Sequence, residues 1–182
     1  HYDSYFKMRL LEEKESVGSP FSMTGFASIA INTLRPNPDE TIEFRSRLAY
    51  TWQVIMAKKI AERFTVQLMP TVVHLNLVET TDLDNDVYSI GVAGKAQVTK
   101  NISVTTEYYQ TLPNQLEENK RNSFSIGFDL NTGSHVFQLH FTNSAGMIEK
   151  AFIGETTGEW IKGDIHFGFN MVRTFKLKGR RY

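Results

Sequence analysis

The sequence predicts an all-β fold, an antiparallel up-and-down transmembrane β-barrel with about nine strands in these 182 residues. Apolar and polar residues alternate with a period of two in one segment after another. The polar positions of most of these segments carry no charge. Tight and long connections alternate along the chain, as they do in barrels of bacterial outer membranes.

Composition excludes several other classes of protein. The 20 Lys and Arg balance the 20 Asp and Glu, which argues against a nucleic-acid partner. The absence of Cys excludes disulfide scaffolds and thiolate zinc sites. No apolar run approaches the roughly 20 residues that a membrane-spanning helix needs. A membrane protein of this composition would therefore have to cross with strands.

The first three predicted strands cover residues 5–11, 21–33 and 41–56. The third shows the alternation most clearly, and a helix would scatter its two sets of residues over every face. One set is apolar and the other polar: Ile42, Phe44, Leu48, Tyr50, Trp52, Val54 and Met56 oppose Thr41, Glu43, Arg45, Arg47, Thr51 and Gln53.

The fourth predicted strand, residues 64–78, changes parity. Phe64, Val66 and Leu68 are at even positions. The later apolar residues are at odd positions: Val73, Leu75 and Leu77. This change predicts a β-bulge near Pro70. Five further segments alternate in the same way and complete the nine strands: 88–92, 102–105, 124–130, 137–141 and 165–171.

The character of the polar parity indicates which face meets lipid. Six segments contain no Asp, Glu, Lys or Arg: 21–33, 87–94, 102–106, 123–128, 136–142 and 165–172. Their small polar residues suit a narrow hydrated lumen, and the Phe-rich parity suits lipid contact. The alternative is a soluble barrel that binds an apolar ligand, which requires the Phe-rich parity inside.

The connections predict an orientation. Residues 61–63, 99–101 and 131–134 are tight, while 34–40, 79–86, 113–121 and 143–163 are longer. If the last strand descends to a periplasmic C-terminus, the tight turns lie in the periplasm and the long loops outside. The 12–20 connection is an exception, being long on the periplasmic side.

The C-terminal third resembles a known family. Four distinctive segments follow one another in order: a glycine-turn-histidine strand at 133–141, TNSAGMI at 142–148, ETTGEW at 155–160 and GDIHFGFN at 163–170. This block resembles a Bacteroidota family of predicted outer-membrane β-barrels catalogued as a domain of unknown function. The resemblance implies a Gram-negative outer membrane and about three further N-terminal strands, or about twelve in all. Residues 1–182 would then be a single barrel domain without its N-terminal strands. The family implies no established activity.

Charged residues of the polar parity are candidates for the lumen lining. They are Glu43, Arg45, Arg47, Lys95, Glu107 and Asp129. They could select a charged solute, or they could pair with one another, because isolated charges are costly in a narrow interior. A plugged or nearly plugged barrel is the expectation over a general porin.

His140, His166 and Asp164 form a candidate metal site. The two His share the lumen parity of consecutive strands, and two imidazoles with a carboxylate could bind a divalent cation. The alternative is a hydrogen-bonded network that fills the lumen, since no HExxH-type spacing is present. No other cofactor is expected.

The long 143–163 connection is expected to be an external loop that folds into the lumen or caps its mouth, with Phe152 and Trp160 as anchors. The alternative is a hairpin with a short extra strand at 148–155. If that strand spans the membrane, the inside and outside assignments upstream reverse.

Catalysis is not expected. Ser125 or Ser144 could be drawn with His140 and Asp129 as a triad, but the sequence has no nucleophile elbow. The expected function is a narrow pore, or a barrel subunit of a larger cell-envelope complex, with the outer-membrane bilayer as its partner.

Overall fold

The computed structural model describes residues 2–14, 19–34, 42–78 and 83–173. Within these residues, nine strands form one sheet in chain order, and each is antiparallel to the next. The prediction of an all-β antiparallel meander is confirmed. The strands are β1 (Tyr2–Leu11), β2 (Ser22–Ile31), β3 (Leu48–Ala61), β4 (Phe64–Leu75), β5 (Asp86–Gln97), β6 (Ile102–Thr111), β7 (Phe124–Asn131), β8 (His135–Thr142) and β9 (His166–Arg173).

The sheet curls into a half-barrel. In the described part of the chain, β1 pairs with β2 alone and β9 with β8 alone, so two edges are open. Both edge strands are exposed along nearly their whole length. Because neighbours alternate in direction, β1 and β9 run the same way.

The apolar parity lies on the convex face. Trp52, Ile90 and Phe169 are about half exposed there, although they alternate with residues that the sheet buries. Thr51 and Ser89 are among the latter and lie on the concave face. A convex surface of large apolar side chains is what lipid contact requires.

The predicted bulge at Pro70 is wrong. The register of β4 against β5 runs unbroken from Phe64 to His74, and the register shift against β3 lies at the turn, beside Ala61. The strand keeps its faces, so Val73 is on the concave side, fully buried. The parity changes because the concave face itself is apolar near this end of β4.

The connections alternate in length as predicted. Tight turns join β3 to β4, β5 to β6 and β7 to β8 at one end of the sheet, here called the turn end. The other longer connections lie at the opposite, loop end; residues 35–41 and 79–82 of two of them are outside the described residues. The β1–β2 connection is the predicted exception, because it is long and lies at the turn end. The β8–β9 connection contains a short helix, α1 (Glu149–Gly154), and a 3-10 turn, Trp160–Lys162. None of the described helices is long and apolar enough to cross a membrane.

Candidate functional site

The β8–β9 connection folds back onto the concave face of the sheet. α1 contacts β3 and β4, and its Ile153 is 1% exposed, within a buried cluster with Met69, Val73 and Val87. The neighbouring Phe152 ring packs on Tyr109 of β6, with 4.9 Å between ring centroids. Residues 143–163, which we call the plug segment, therefore occupy the loop-end half of the concave face and leave a cavity of about 230 Å³ beside Lys150 and Gly154.

This placement settles the alternative of an extra strand. Residues 149–154 are helical, and β8 pairs directly with β9 in an antiparallel register. No extra strand lies between β8 and β9, so the assignment of connections to the two ends stands.

Both ends of the plug segment are tied to β7. The Asn143 side chain accepts from the Phe124 amide at 2.8 Å and donates to the carbonyls of Asn122 and Gly158. Trp160 Nε1 donates to the Phe124 carbonyl at 2.9 Å, and the two rings meet edge to face at 5.3 Å. Both predicted anchors, Phe152 and Trp160, thus contact the sheet.

Gly158 permits the two ends of the plug segment to meet. A Cβ at this position would overlap the Asn143 carbonyl oxygen, which is backbone and cannot rotate away. A salt bridge of 3.1 Å between Arg121 and Glu159 adds a tie to the β6–β7 connection. Lys162 and then Arg121 lower the pKa of Glu159 by hydrogen bonding to its carboxylate.

A buried polar network lies beside the plug. Gln53 Nε2 donates to Thr71 Oγ1 at 2.8 Å and to the Tyr109 hydroxyl at 3.1 Å. Thr71 in turn donates to the Met69 carbonyl. Because each of these buried side chains has a partner, the network fixes the spacing of β3, β4 and β6 without an unpaired polar group.

A second polar network crosses the concave face toward the turn end. Lys95 Nζ of β5 lies 2.6 Å from Asp129 Oδ2 of β7, and Gln138 Nε2 donates to the other oxygen at 3.1 Å. Asn170 of β9 donates to Gln138 Oε1. This half of the interior is hydrophilic, with a cleft of about 260 Å³ beside Lys95 and Asp129.

The six predicted lining residues separate into two groups. Lys95, Glu107 and Asp129 lie on the concave face, where Glu107 is in electrostatic range of Lys7 and His140. Glu43, Arg45 and Arg47 do not belong to the sheet.

The predicted placement of Glu43, Arg45 and Arg47 on β3 is wrong because β3 begins only at Leu48, although Arg47 lines the loop-end cavity beside α1. The preceding residues form a 3-10 turn, Arg45–Arg47, in which successive side chains do not point to opposite faces as they do in a strand. Glu43 and Arg45 are exposed, and Arg47 Nη1 donates to the Leu34 carbonyl at 3.0 Å.

The structure does not bring His140, His166 and Asp164 together as a metal site. Among the described residues, no group of three His, Asp or Glu is placed to hold a metal ion. His140 is opposite Gly168 in the β8–β9 register, His166 is exposed, and Asp164 accepts from the Glu159 amide. The triad drawn through Asp129 also lacks support, since that carboxylate is bonded to Lys95 and Gln138.

The sequence placed Gln53 on the polar, lumen-facing parity but did not show that Gln53, Thr71, Met69 and Tyr109 form the surface on which the plug segment packs. For Thr71, the signal was its alternation with the convex residues of β4. Tyr109 was hidden by the preceding Tyr108, since two consecutive aromatic residues do not show which one faces inward.

Comparison with known families identifies the chain. Residues 1–175 match the family model described as a membrane-bound beta barrel domain, DUF5777. The chain belongs to this family. The match covers every described strand. Membership of a membrane-bound barrel family argues against a soluble barrel, and the exposed apolar residues of the convex face have the character that lipid contact requires. No curated protein and no solved structure matches the chain.

Proposed function

We propose that this chain forms the wall of an outer-membrane β-barrel of a Gram-negative bacterium and serves as a barrel subunit of a cell-envelope complex. Its own plug segment closes the interior from the loop side, so the barrel is not an open general pore. The tight turns face the periplasm and the loops face outward, in keeping with barrels of bacterial outer membranes.

The burial of Ile153 is the observation that carries this proposal. A loop that only covers the mouth of a pore would keep its apolar residues at the surface. Here Ile153 is fully buried against Val73 and Val87, and the Phe152 ring packs at a tilt against Tyr109. Full burial of Ile153 contributes about 1.5–3 kcal/mol, and the partly buried Phe152 adds to this, so the segment is held in place most of the time.

The open edges support closure by further strands. β1 and β9 run the same way, so direct pairing between them would be parallel in an otherwise antiparallel sheet. Antiparallel closure requires an odd number of additional strands, consistent with the three that the family resemblance implies. A barrel shared by two copies is also disfavoured. If a twofold axis ran along the barrel, β1 of one copy would pair with β9 of the other, and these strands would be parallel.

A narrow, gated pore is the second candidate. The turn-end half of the interior is lined by Lys95, Asp129 and Gln138 and keeps a hydrophilic cleft. Release of the plug segment would join this cleft to the loop side.

Conductance in planar bilayers tests the proposal with the full-length protein. We expect no steady current from the wild type, and stable current from Ile153→Asp, because a carboxylate cannot be buried where Ile153 lies. Ile161→Asp is the matched control, since Ile161 belongs to the same segment but is fully exposed. Wild-type current equal to that of Ile153→Asp would contradict a closed interior.

The role in a complex is tested separately by purification in mild detergent. Co-elution with other envelope proteins, retained at moderate salt, is expected for a barrel subunit. A strictly monomeric barrel that also carries no current would contradict both candidate functions.

A further inference from the structure

We propose that the loop-end cavity beside α1 binds a small monocarboxylate with an apolar body. The Lys150 ammonium holds the carboxylate, Arg47 adds positive charge, and the apolar body lies against the concave face of the sheet. This inference goes beyond the proposed function, because the site needs neither a pore nor a partner protein.

The cavity lies between α1, the loop ends of β3–β5 and the β6–β7 connection. Its volume is about 230 Å³, and its apolar lining includes Ala49, Leu75 and Val87 of the sheet and Leu116 of the β6–β7 connection. At roughly 30 Å³ for each water-sized group, this volume holds about eight non-hydrogen atoms. Ligand pockets combine such an apolar lining with a few polar groups that fix orientation. The size and lining therefore suit a small, largely apolar ligand.

Lys150 supplies hydrogen-bond donors to this cavity. Its side chain is only 11% exposed, and its Nζ lies 2.8 Å from Glu155 Oε1. An ammonium has three N–H donors, and Glu155 is its one partner within the described residues. Two donors of a largely buried cation are therefore available. Because unused buried donors are costly, a ligand that carries hydrogen-bond acceptors is favoured.

Arg47 makes the preferred acceptor an anion. It lines the same cavity, and its Nη1 donates to the Leu34 carbonyl at 3.0 Å, which is a neutral partner. Among the residues that the structure describes, no carboxylate lies within ion-pair distance of this guanidinium. A carboxylate ligand would thus enter a wall that holds one unpaired cation and one ammonium with free donors.

The acidic residues of the cavity wall do not form an equivalent site for a cation. Asp84 is an exposed loop residue, so water solvates its carboxylate. Glu155 is exposed and paired with Lys150, and Glu117 has a partner of its own. A cationic ligand would therefore lack what an anion finds at Lys150, namely a largely buried charge with unused hydrogen-bonding capacity.

Gly154 leaves room for the apolar body. It is buried in the cavity wall, and its φ lies outside the left-handed region. A Cβ added at this position would meet no atom within 4 Å. Since neither the backbone nor a neighbour requires glycine here, the effect of the missing side chain is to keep the cavity open.

Calorimetric titration of the full-length protein in detergent with hexanoate tests the ligand class. We expect saturable binding at one site per chain. Hexylamine has the same body with the opposite charge, and acetate has the same charge without the body. Both should bind at least about tenfold more weakly, because each lacks one half of the recognition. No saturable binding of hexanoate, or equal binding of hexanoate and hexylamine, would overturn the proposal.

Lys150→Met tests the carboxylate contact. We expect hexanoate affinity to fall at least about tenfold, the usual effect of losing a hydrogen bond to a charged group. The matched control is Lys162→Met, because Lys162 also pairs with a glutamate of the plug segment but is exposed and lies outside the cavity. Unchanged affinity in Lys150→Met, or an equal loss in both variants, would overturn the assignment to Lys150.

Gly154→Leu tests the cavity, because its side chain would occupy the space of the ligand. We expect loss of hexanoate binding in a barrel whose circular dichroism matches that of the wild type. Gly154→Ala adds a single methyl group to open space and should weaken binding less. Wild-type affinity in folded Gly154→Leu would overturn the cavity assignment, and Lys150→Met tests the site independently of how this variant folds.

Discussion

The contact between Gly91 and Tyr109 shows how single residues shape the interior. The two residues are opposite each other on β5 and β6, and a Cβ at Gly91 would overlap the Tyr109 ring. The ring cannot move away, because it is buried between Phe152 and Met69. The absence of a side chain at Gly91 is therefore a condition for seating the plug.

Gly91→Ala is expected to destabilise the barrel by about 1–3 kcal/mol, the usual cost of overpacking a core. Urea unfolding in detergent measures this change. Gly94→Ala is the control in the same strand, since its Cβ would meet Thr106 and Phe64 at 3.6 Å or more. Equal losses in the two variants would mean that strand propensity, rather than the Tyr109 contact, explains the effect.

The Lys95–Asp129 pair is asymmetric in burial. The Asp129 side chain is 8% exposed and that of Lys95 is 51% exposed. Removing Lys95 leaves a buried carboxylate without its cation, while removing the charge of Asp129 leaves a hydrated ammonium. We expect Lys95→Met to destabilise by about 1–3 kcal/mol and Asp129→Asn by less, since Asn still accepts from Gln138. The opposite ranking in unfolding experiments would contradict this reading of the network.

The sequence could identify Lys95, Glu107 and Asp129 as interior residues because each keeps the polar parity of its strand, Lys95 and Glu107 just beyond the alternating segments 88–92 and 102–105. It wrongly placed Glu43, Arg45 and Arg47 on β3, because Ile42 and Phe44 continue the apolar parity of that strand. A 3-10 turn can carry the same alternation by chance, and three residues are too few to reveal a change of period.

At the scale of elements, α1 was beyond prediction for a similar reason. It has six residues and no side-chain cap at its N-terminus, so it carries neither a helical period nor a start signal. Tertiary packing of Ile153 and Phe152 defines it. The parity change in β4 did indicate this helix. An apolar residue such as Val73 can lie on the concave face because Ile153 of α1 packs against it.

Docking of α1 is expected to depend on pH. Burial raises the pKa of Glu149, and the Asp3 and Glu107 carboxylates add to the rise while Lys7 opposes it. The docked state thus binds the proton more tightly than the released state, so docking weakens as pH rises above about 4.5 through the raised pKa.

Glu149→Gln should remove this dependence and strengthen docking at neutral pH. Proteolysis of the plug segment as a function of pH measures it. The matched control is Glu118→Gln, which removes one carboxylate from an exposed position of the neighbouring β6–β7 connection. A wild-type segment that becomes more accessible toward pH 4.5 would contradict the assigned direction.

For the whole molecule, a zero net charge and an ordinary apolar fraction conceal a two-faced sheet. Nine alternating segments were enough to predict the order and direction of the strands. Closure was not visible in the same way, because an edge strand and a central strand have the same period. The open edges at β1 and β9 could be located only through pairing.

Hydrogen exchange of the full-length protein tests closure. If further strands pair with β1 and β9, their backbone amides should exchange about as slowly as those of β4, which has neighbours on both sides. Fast exchange along either edge strand in a folded barrel would contradict closure.

The central claim is that the domain fills its own interior with the plug segment, and cysteine accessibility tests this most directly. The chain has no native Cys, so Ile153→Cys and Ile161→Cys each provide one thiol on the same segment. Ile153 is 1% exposed and Ile161 is fully exposed. We predict that a water-soluble maleimide labels the folded full-length barrel at position 161 at least about a hundredfold faster than at position 153, in line with apolar anchoring worth a few kcal/mol. Equal labelling rates at the two positions would contradict a filled interior.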